Sequence, residues 1–144
     1  MYSIEEFDEA KTKVLKYILY KKRTEYEIKT KFSRTISEEL LIDVIEELKE
    51  IGYINDLEYI KRAVNEFKIL NNLSIKEVKY KLMSKGIRTN LIEDYISDNY
   101  EEMIEYEIKS AQNIANKKHF EDENEKKAYL YKKGYSEDSI SNIY

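Results

Sequence analysis

The residues that most often carry catalytic chemistry are few in this chain. His119 is the only histidine and the chain has no cysteine, so neither a zinc site nor a Ser-His hydrolase has its parts. The three glycines are isolated and lack the spacing of a phosphate-binding loop. Carboxylates at helical spacing, such as Glu46 with Glu50, are expected by chance among 29 acidic residues. We therefore predict a protein that is not an enzyme and that needs no metal or cofactor.

Basic side chains are the second group that could carry function, because they occur in recurring clusters. Residues 9–34 hold nine basic and three acidic side chains, whereas residues 35–60 hold one basic and eight acidic ones. Such clusters suit a partner that itself repeats, such as a protein filament or its phosphate backbone. Alternatively, the charged helices only solvate themselves and pair weakly. The candidate partner-binding residues are Lys21, Lys22, Arg23, Lys79, Lys81, Lys85, Arg88, Lys132 and Lys133.

Three segments that align without gaps predict the helices that hold these cations. They are TEYEIKTKF at 24–32, SIKEVKYKL at 74–82 and DENEKKAYL at 122–130. Each opens with a side-chain oxygen and carries a glutamate three residues later, which is the capping-box pattern of a helix start. The paired positions are Thr24 and Glu27, Ser74 and Glu77, and Asp122 and Glu125.

The positions around these segments predict three helices in each of three repeats. Gly86 and Gly134 follow the second and third segments at the same offset and suit a left-handed helix end. The first segment has Ile36 at that position, so its connection should differ in shape. Amphipathic stretches with apolar residues three and four apart precede each segment. We predict an all-α fold of three tandem three-helix repeats in an elongated, gently curved stack, with repeats at 1–54, 55–98 and 99–144.

The overall composition favours a helical protein of the cytoplasm. The 144 residues include no proline and three glycines, which leaves few helix breakers. No segment approaches the roughly eighteen uncharged apolar residues of a membrane span, and the acidic start is unlike a signal peptide. A net charge of −4 argues against coating nucleic acid by bulk electrostatics. We expect a cytoplasmic monomer without membrane contact.

Several stretches of the sequence together resemble the RecX family of recombinase regulators. The longest are VIEELKEIGYINDLEYIKRAV at 44–64, KYKLMSKGIRTNLIEDYI at 79–96 and YLYKKGYSEDSISNI at 129–143. The most specific parts are Gly-Tyr-Ile-Asn-Asp at 52–56, Lys-Gly-Ile at 85–87 and Lys-Gly-Tyr-Ser at 133–136. Residues 14–32 also look like the opening unit of the family, so the resemblance spans nearly the whole chain.

The resemblance implies a three-repeat helical protein that binds RecA and lodges in the groove of its filament on single-stranded DNA. Such a protein would modulate, and we expect inhibit, filament growth, ATPase activity and strand exchange in DNA repair, recombination and the SOS response. RecA would be the main partner, with at most a weak direct contact to single-stranded DNA. Four cations of the middle repeat would make the central contact and two of the third would extend it: Lys79, Lys81, Lys85 and Arg88, then Lys132 and Lys133.

A winged-helix DNA-binding protein is the main alternative. Residues 24–54 would supply two helices and a recognition helix that ends in the Gly-Tyr-Ile of a wing. The residues after 54 predict another helix, where a wing needs a β-hairpin. A second alternative is a generic helical-repeat adaptor for another protein, which only the family resemblance separates from a recombinase regulator.

Overall fold

The computed structural model describes residues 1–143, so Tyr144, the last residue of the predicted third repeat, lies outside the described residues. Within residues 1–143 all regular structure is helical, which confirms the predicted all-α class. The helices are α1 (Ile4–Tyr20), α2 (Glu25–Phe32), α3 (Glu38–Glu50), α4 (Asp56–Leu70), α5 (Ile75–Ser84), α6 (Thr89–Asp98), α7 (Tyr100–Lys117), α8 (Glu123–Lys133) and α9 (Glu137–Ser141).

The capping boxes set the starts of α2 and α5. The Thr24 hydroxyl accepts from the Glu27 amide at 3.1 Å, and the Thr24 amide donates to the Glu27 carboxylate at 3.0 Å. Ser74 and Glu77 repeat both bonds at 3.1 Å. Each box satisfies amides that the first turn of a helix otherwise leaves without a partner.

The start of α8 keeps only half of the predicted capping box. The Asp122 carboxylate accepts from the Glu125 amide at 2.8 Å, as predicted. The Glu125 carboxylate instead accepts from the Glu121 amide at 2.8 Å. The helix therefore begins at the predicted residue, although its glutamate caps an amide one position upstream of the N-cap.

The chain divides into two compact units, one of residues 1–59 with 85–87 and one of residues 60–84 with the chain from 88 onward. The predicted boundaries at 54 and 98 stay predictions, because they concern a finer division into repeats. In the first unit α1, α2 and α3 enclose an apolar core. The most deeply buried members of that core are Val14, Ile28, Val44 and Leu48.

The connection from α2 to α3 differs from its later counterpart, as the sequence predicted. The 50-residue offset between the first two aligned segments pairs Ile42 with the buried Ile92, yet Ile42 is 45% exposed and Leu41 is buried instead. Leu41 follows Phe32 by nine residues, whereas Ile92 follows Leu82 by ten. The spacing between these buried positions is therefore one residue shorter across the first connection, although the connection itself, residues 33–37, is one residue longer than residues 85–88. The buried face of α3 shifts accordingly.

In the second unit, the buried face of α7 includes polar side chains. Ala111 is buried, but Ile104 and Ile108 are only half-buried. The buried face also contains Glu107 and Ser110, which are both nearly inaccessible. A buried carboxylate needs hydrogen-bond donors around it, and these come from two other helices of the unit.

No helix in the described part of the chain combines the length and apolar character needed to cross a membrane.

Candidate partner-binding surface

The hydroxyl of Thr24 links the start of α2 to residues 85–87, which lie in the same compact unit. It donates to the Lys85 carbonyl oxygen at 2.7 Å while it accepts from the Glu27 amide. The Lys85 ammonium lies 3.9 Å from the Glu27 carboxylate. We call this set, Thr24, Glu27, Lys85 and Gly86, the first cap–turn contact.

Gly86 is required in this contact for two reasons. Its φ is +79°, a conformation that residues with a Cβ adopt only at a cost. A Cβ at this position would also lie 2.1 Å from Cγ of Tyr26. The turn can therefore approach α2 closely only with glycine at 86.

Acidic side chains complete the first cap–turn contact. The Asp56 carboxylate accepts from the Glu25 amide at 3.1 Å, so it satisfies another amide of the first turn of α2. Glu25 forms ion pairs with Lys49 and, at 3.1 Å, with Lys29. Partial burial opposes ionisation of Glu25, but the hydrogen bonds and charges of the two lysines outweigh it and lower the pKa of this carboxyl.

The second compact unit repeats the arrangement at the start of α5. The Ser74 hydroxyl donates to the Lys133 carbonyl oxygen at 2.9 Å, and the Lys133 ammonium lies 3.9 Å from the Glu77 carboxylate. Gly134 has a φ of +99°, and a Cβ there would lie 3.0 Å from Cβ of Lys76. Ser74, Glu77, Lys133 and Gly134 form the second cap–turn contact.

Glu107 anchors the second cap–turn contact from α7 and is only 1% exposed. One carboxylate oxygen accepts from the Ile75 amide at 2.7 Å. The other accepts from the Ser136 amide at 3.0 Å and from the Ser136 and Ser139 hydroxyls at 2.7 Å each. The sequence analysis missed this residue, although a glutamate on the apolar face of a predicted helix was the available signal.

The structure places three of the predicted partner-binding lysines in contacts within the chain. Lys85 and Lys133 belong to the two cap–turn contacts, and Lys79 lies 3.1 Å from the Glu93 carboxylate. All three ammonium groups are partly exposed. They can still add positive charge to the surface, but each is already neutralised in part by a carboxylate.

The other candidates divide into five free cations and one held against an aromatic ring. The five are exposed and form no ion pair among the residues that the structure describes: Lys21, Lys22, Lys81, Arg88 and Lys132. The Arg23 guanidinium carbon lies 4.0 Å from the centroid of the Tyr17 ring, within the range of a cation–π interaction. The five free cations thus remain available to a partner.

The second unit also carries an apolar groove beside α5. The groove has a volume of about 610 Å³ and runs along α5, α6 and α7. Tyr80, Met83 and Tyr100 line it and are substantially exposed. Exposed apolar side chains in a groove, with Lys76 and Lys79 in its wall, are typical of a surface that binds another protein.

A metal site has no candidate ligands in the part of the chain that the structure describes. No group of three or more histidine, cysteine, aspartate or glutamate side chains there could hold a metal ion.

The fold and the site define an all-helical protein with two similar cap–turn contacts and exposed cations and an apolar groove on its surface. The chain is 32% identical to the regulatory protein RecX of Finegoldia magna, with 98% of this chain and 73% of that relative covered. It is 30% identical to the regulatory protein RecX of Caldanaerobacter subterraneus subsp. tengcongensis, over 94% of this chain and 68% of that relative. The chain belongs to the RecX family.

A solved structure agrees with this assignment at the level of the fold. The crystal structure of RecX from Lactobacillus salivarius superposes with a TM-score of 0.81 at 26% sequence identity. The match covers 98% of this chain and 96% of that one. No protein-family model matches the chain.

Proposed function

We propose that this protein regulates RecA by binding its nucleoprotein filament on single-stranded DNA. It inhibits filament growth, and with it ATPase activity and strand exchange, without catalysing a reaction itself. The observation that carries the proposal is membership of the RecX family over nearly the whole chain. The protein acts in the cytoplasm as a monomer, and three repeats in an elongated, gently curved stack give it the reach to contact several subunits of a filament.

Exposed cations and the apolar groove support binding to a filament. A filament presents one surface at every subunit, so a chain with similar surfaces in successive predicted repeats can contact successive subunits. Within the middle repeat, Lys81 and Arg88 are the strongest candidates because both are exposed and unpaired among residues 1–143. Lys79 and Lys85 make a smaller contribution because each already has a carboxylate partner.

A double charge reversal at the two free cations tests this proposal. We expect Lys81→Glu with Arg88→Glu to weaken binding to RecA filaments about tenfold, as two exposed contacts of roughly 0.7 kcal/mol each would predict. The salt dependence of the remaining binding should be flatter, because fewer charges interact. Binding is measured by the anisotropy of the labelled protein on RecA filaments at several salt concentrations.

The control is Lys109→Glu with Lys117→Glu, which makes the same change in net charge at exposed positions of α7. The control variant should bind like the wild type. Equal weakening of both double variants would show that only net charge matters. Wild-type affinity of the Lys81 and Arg88 variant would remove these two residues from the contact.

A further inference from the structure

Methionine carries all of the sulfur in this chain. There are three methionines and no cysteine. Met103 is fully buried in α7, whereas Met1, the first residue, is fully exposed. Met83 lies in the last turn of α5 and is 42% exposed. Among the described residues, Met83 is therefore the one methionine that both belongs to a helix and can be reached by a small molecule from solvent.

Met83 also lines the apolar groove beside α5. Lys76, Tyr80 and Met83 are spaced by four and three residues, so they lie on one face of α5. Tyr100, at the start of α7, lines the same groove. Tyr80 and Tyr100 are each more than half exposed. The thioether thus belongs to an apolar surface that is open to solvent and to a dissolved oxidant.

The oxidation state of a methionine in such a groove changes how well the groove binds another protein. The unbranched thioether is apolar and adapts to an irregular partner surface. Its sulfoxide is polar, and covering that oxygen with a partner costs free energy unless a donor meets it. Lys79 in the groove wall already pairs with Glu93 at 3.1 Å, and Lys76 lies about 10 Å from Met83 along the helix axis. The same side chain therefore favours binding when reduced and opposes it when oxidised.

The corresponding pocket of the first unit has no sulfur in its lining. At the 50-residue offset, Met83 matches Ser33 and Lys79 matches Lys29. Ser33 and Lys29 line an apolar pocket of about 330 Å³ between α2 and α3. A serine hydroxyl does not undergo the oxidation of sulfur side chains. Oxidation would therefore change the groove of the second unit and leave the matching pocket as it is.

We propose that Met83 is an oxidation site, at which a hydroperoxide forms the sulfoxide and thereby weakens binding in the apolar groove. The thioether sulfur attacks one peroxide oxygen with a lone pair, so an S–O bond forms while the O–O bond breaks. The proton of the attacked oxygen passes to the departing oxygen, which leaves as water or an alcohol. Sulfur loses two electrons and the peroxide gains them. The effect on filament binding rests on the proposed function, in which the groove contacts the filament.

Oxidation rates in the absence of RecA test the site. Hydrogen peroxide is added to the folded wild type, and the sulfoxide at each methionine is followed by peptide mass spectrometry. Met83 should oxidise at least about tenfold faster than the buried Met103. In urea the two rates should become equal, because both side chains are then exposed. Equal protection of the two methionines in the folded protein would overturn the inference.

Filament binding after removal of the peroxide tests the consequence. Anisotropy of the labelled protein on untreated RecA filaments should show about tenfold weaker binding for the Met83 sulfoxide form. Methionine sulfoxide reductase should restore the affinity, because it returns the sulfoxide to the thioether. Circular dichroism should show the same helix content before and after oxidation. A loss of helix would attribute the weaker binding to unfolding and would contradict the inference.

Two substitutions assign the effect to Met83. Met83→Leu keeps an apolar side chain of similar volume that peroxide cannot oxidise, so treated and untreated samples of this variant should bind equally. Met83→Gln places a polar group in the groove permanently and should bind about as weakly as the oxidised wild type. Met1 is present in both variants, so any effect of its oxidation appears in the treated Met83→Leu sample.

Unchanged filament binding by the Met83 sulfoxide form, or an equal loss of binding in treated Met83→Leu, would overturn the inference. Both outcomes leave binding by the untreated wild type intact, so the proposed regulation of RecA would stand. Absence of binding by the untreated wild type would instead contradict the proposed function, and with it the effect of oxidation on filament binding.

Discussion

Glu107 shows how much one polar side chain can contribute to an apolar core. Its carboxylate accepts four hydrogen bonds, one from the Ile75 amide and three from Ser136 and Ser139. Those donors come from the start of α5 and from the residues around the start of α9. A single buried group therefore holds the start of α5, which belongs to the second cap–turn contact, together with the start of α9.

We predict that Glu107→Ala lowers the free energy of unfolding by roughly 3 kcal/mol, because buried donors lose their acceptor. Glu107→Gln should cost less, about 1 to 2 kcal/mol, because one acceptor oxygen and the side-chain volume remain. Urea unfolding followed by circular dichroism measures both. Glu105→Gln, at an exposed position of the same helix, is the control and should change stability little. If the Glu107 variants lost no more stability than this control, the anchoring role of Glu107 would be contradicted.

The buried Tyr135 predicts a loss of stability at alkaline pH. Burial raises the pKa of its phenol above the ordinary value, and neighbouring Glu77 adds to the shift. The folded protein therefore holds the proton at a pH where the unfolded chain, with a pKa of about 10, has released it. The stabilising contribution is complete below pH 10 and declines as the pH rises above it.

Tyr135→Phe should consequently make stability fall less steeply between about pH 10 and 11.5. Burial raises the pKa of Tyr106 as well, so part of the wild-type slope should remain. The measurement is the urea midpoint at several pH values. Tyr80→Phe, which alters an exposed ring, should keep the wild-type slope. A Tyr135→Phe slope equal to that of the wild type would contradict this prediction.

At the scale of helices, the cap–turn contacts explain the recurrence of Lys-Gly in the sequence. In both contacts the lysine ammonium lies 3.9 Å from the capping glutamate, and glycine brings the turn close to the helix. The hydroxyl at the helix N-cap donates to the backbone carbonyl oxygen of the same lysine. Thr24 and Ser74 therefore serve two purposes with one oxygen, as an acceptor for the helix and as a donor to the turn. Asp122 stands at the third matching position. An ionised carboxylate can only accept hydrogen bonds, so it cannot also donate to a turn as the two hydroxyls do.

We predict that Gly86→Ala destabilises the protein far more than Gly52→Ala. Both glycines have a positive φ, but a Cβ at 52 meets no atom within 4 Å, whereas a Cβ at 86 lies 2.1 Å from Tyr26. Gly52→Ala should cost about 1 kcal/mol from backbone strain alone. Gly86→Ala should cost roughly 3 kcal/mol, since strain and overpacking add. Urea unfolding of both variants provides the comparison.

A second substitution identifies the cause of the larger loss. Tyr26→Ala removes the ring that the new methyl group would meet, so the double variant Gly86→Ala with Tyr26→Ala should recover part of the stability lost by Gly86→Ala. Equal costs for the two glycine substitutions, or strict additivity in the double variant, would show that close approach to Tyr26 does not require Gly86.

Local patterns predicted the helices well, because they depend on neighbouring residues. Capping positions at Thr24, Ser74 and Asp122 located three helix starts, and left-handed glycines located two helix ends. The register of α3 and the partners of Glu107 were not predictable in the same way. Both depend on contacts between helices, and a shift of one residue in the buried position rotates a buried face by about 100° without changing the local pattern.

At the scale of the whole molecule, the partner-binding residues were only partly predictable, because contacts within the chain also depend on other helices. The recurrence of lysines at matching positions predicted a binding surface, but lysines that make structural contacts recur as well. The ammonium groups of Lys85 and Lys133 each lie 3.9 Å from a capping glutamate, Glu27 or Glu77, so these two lysines recur at a structural contact. Lys81 and Lys132 are free on the described surface, and sequence alone could not separate them from the paired lysines.

The most direct test of regulation is the ATPase rate of RecA on single-stranded DNA with this protein titrated from far below to equal the RecA concentration. Inhibition well below one molecule per RecA is the predicted result, because binding at a filament end or groove blocks addition of many subunits. The Lys81→Glu and Arg88→Glu variant should need a higher concentration, and the control Lys109→Glu and Lys117→Glu variant should match the wild type. An unchanged ATPase rate over the whole titration would contradict regulation of RecA by this protein.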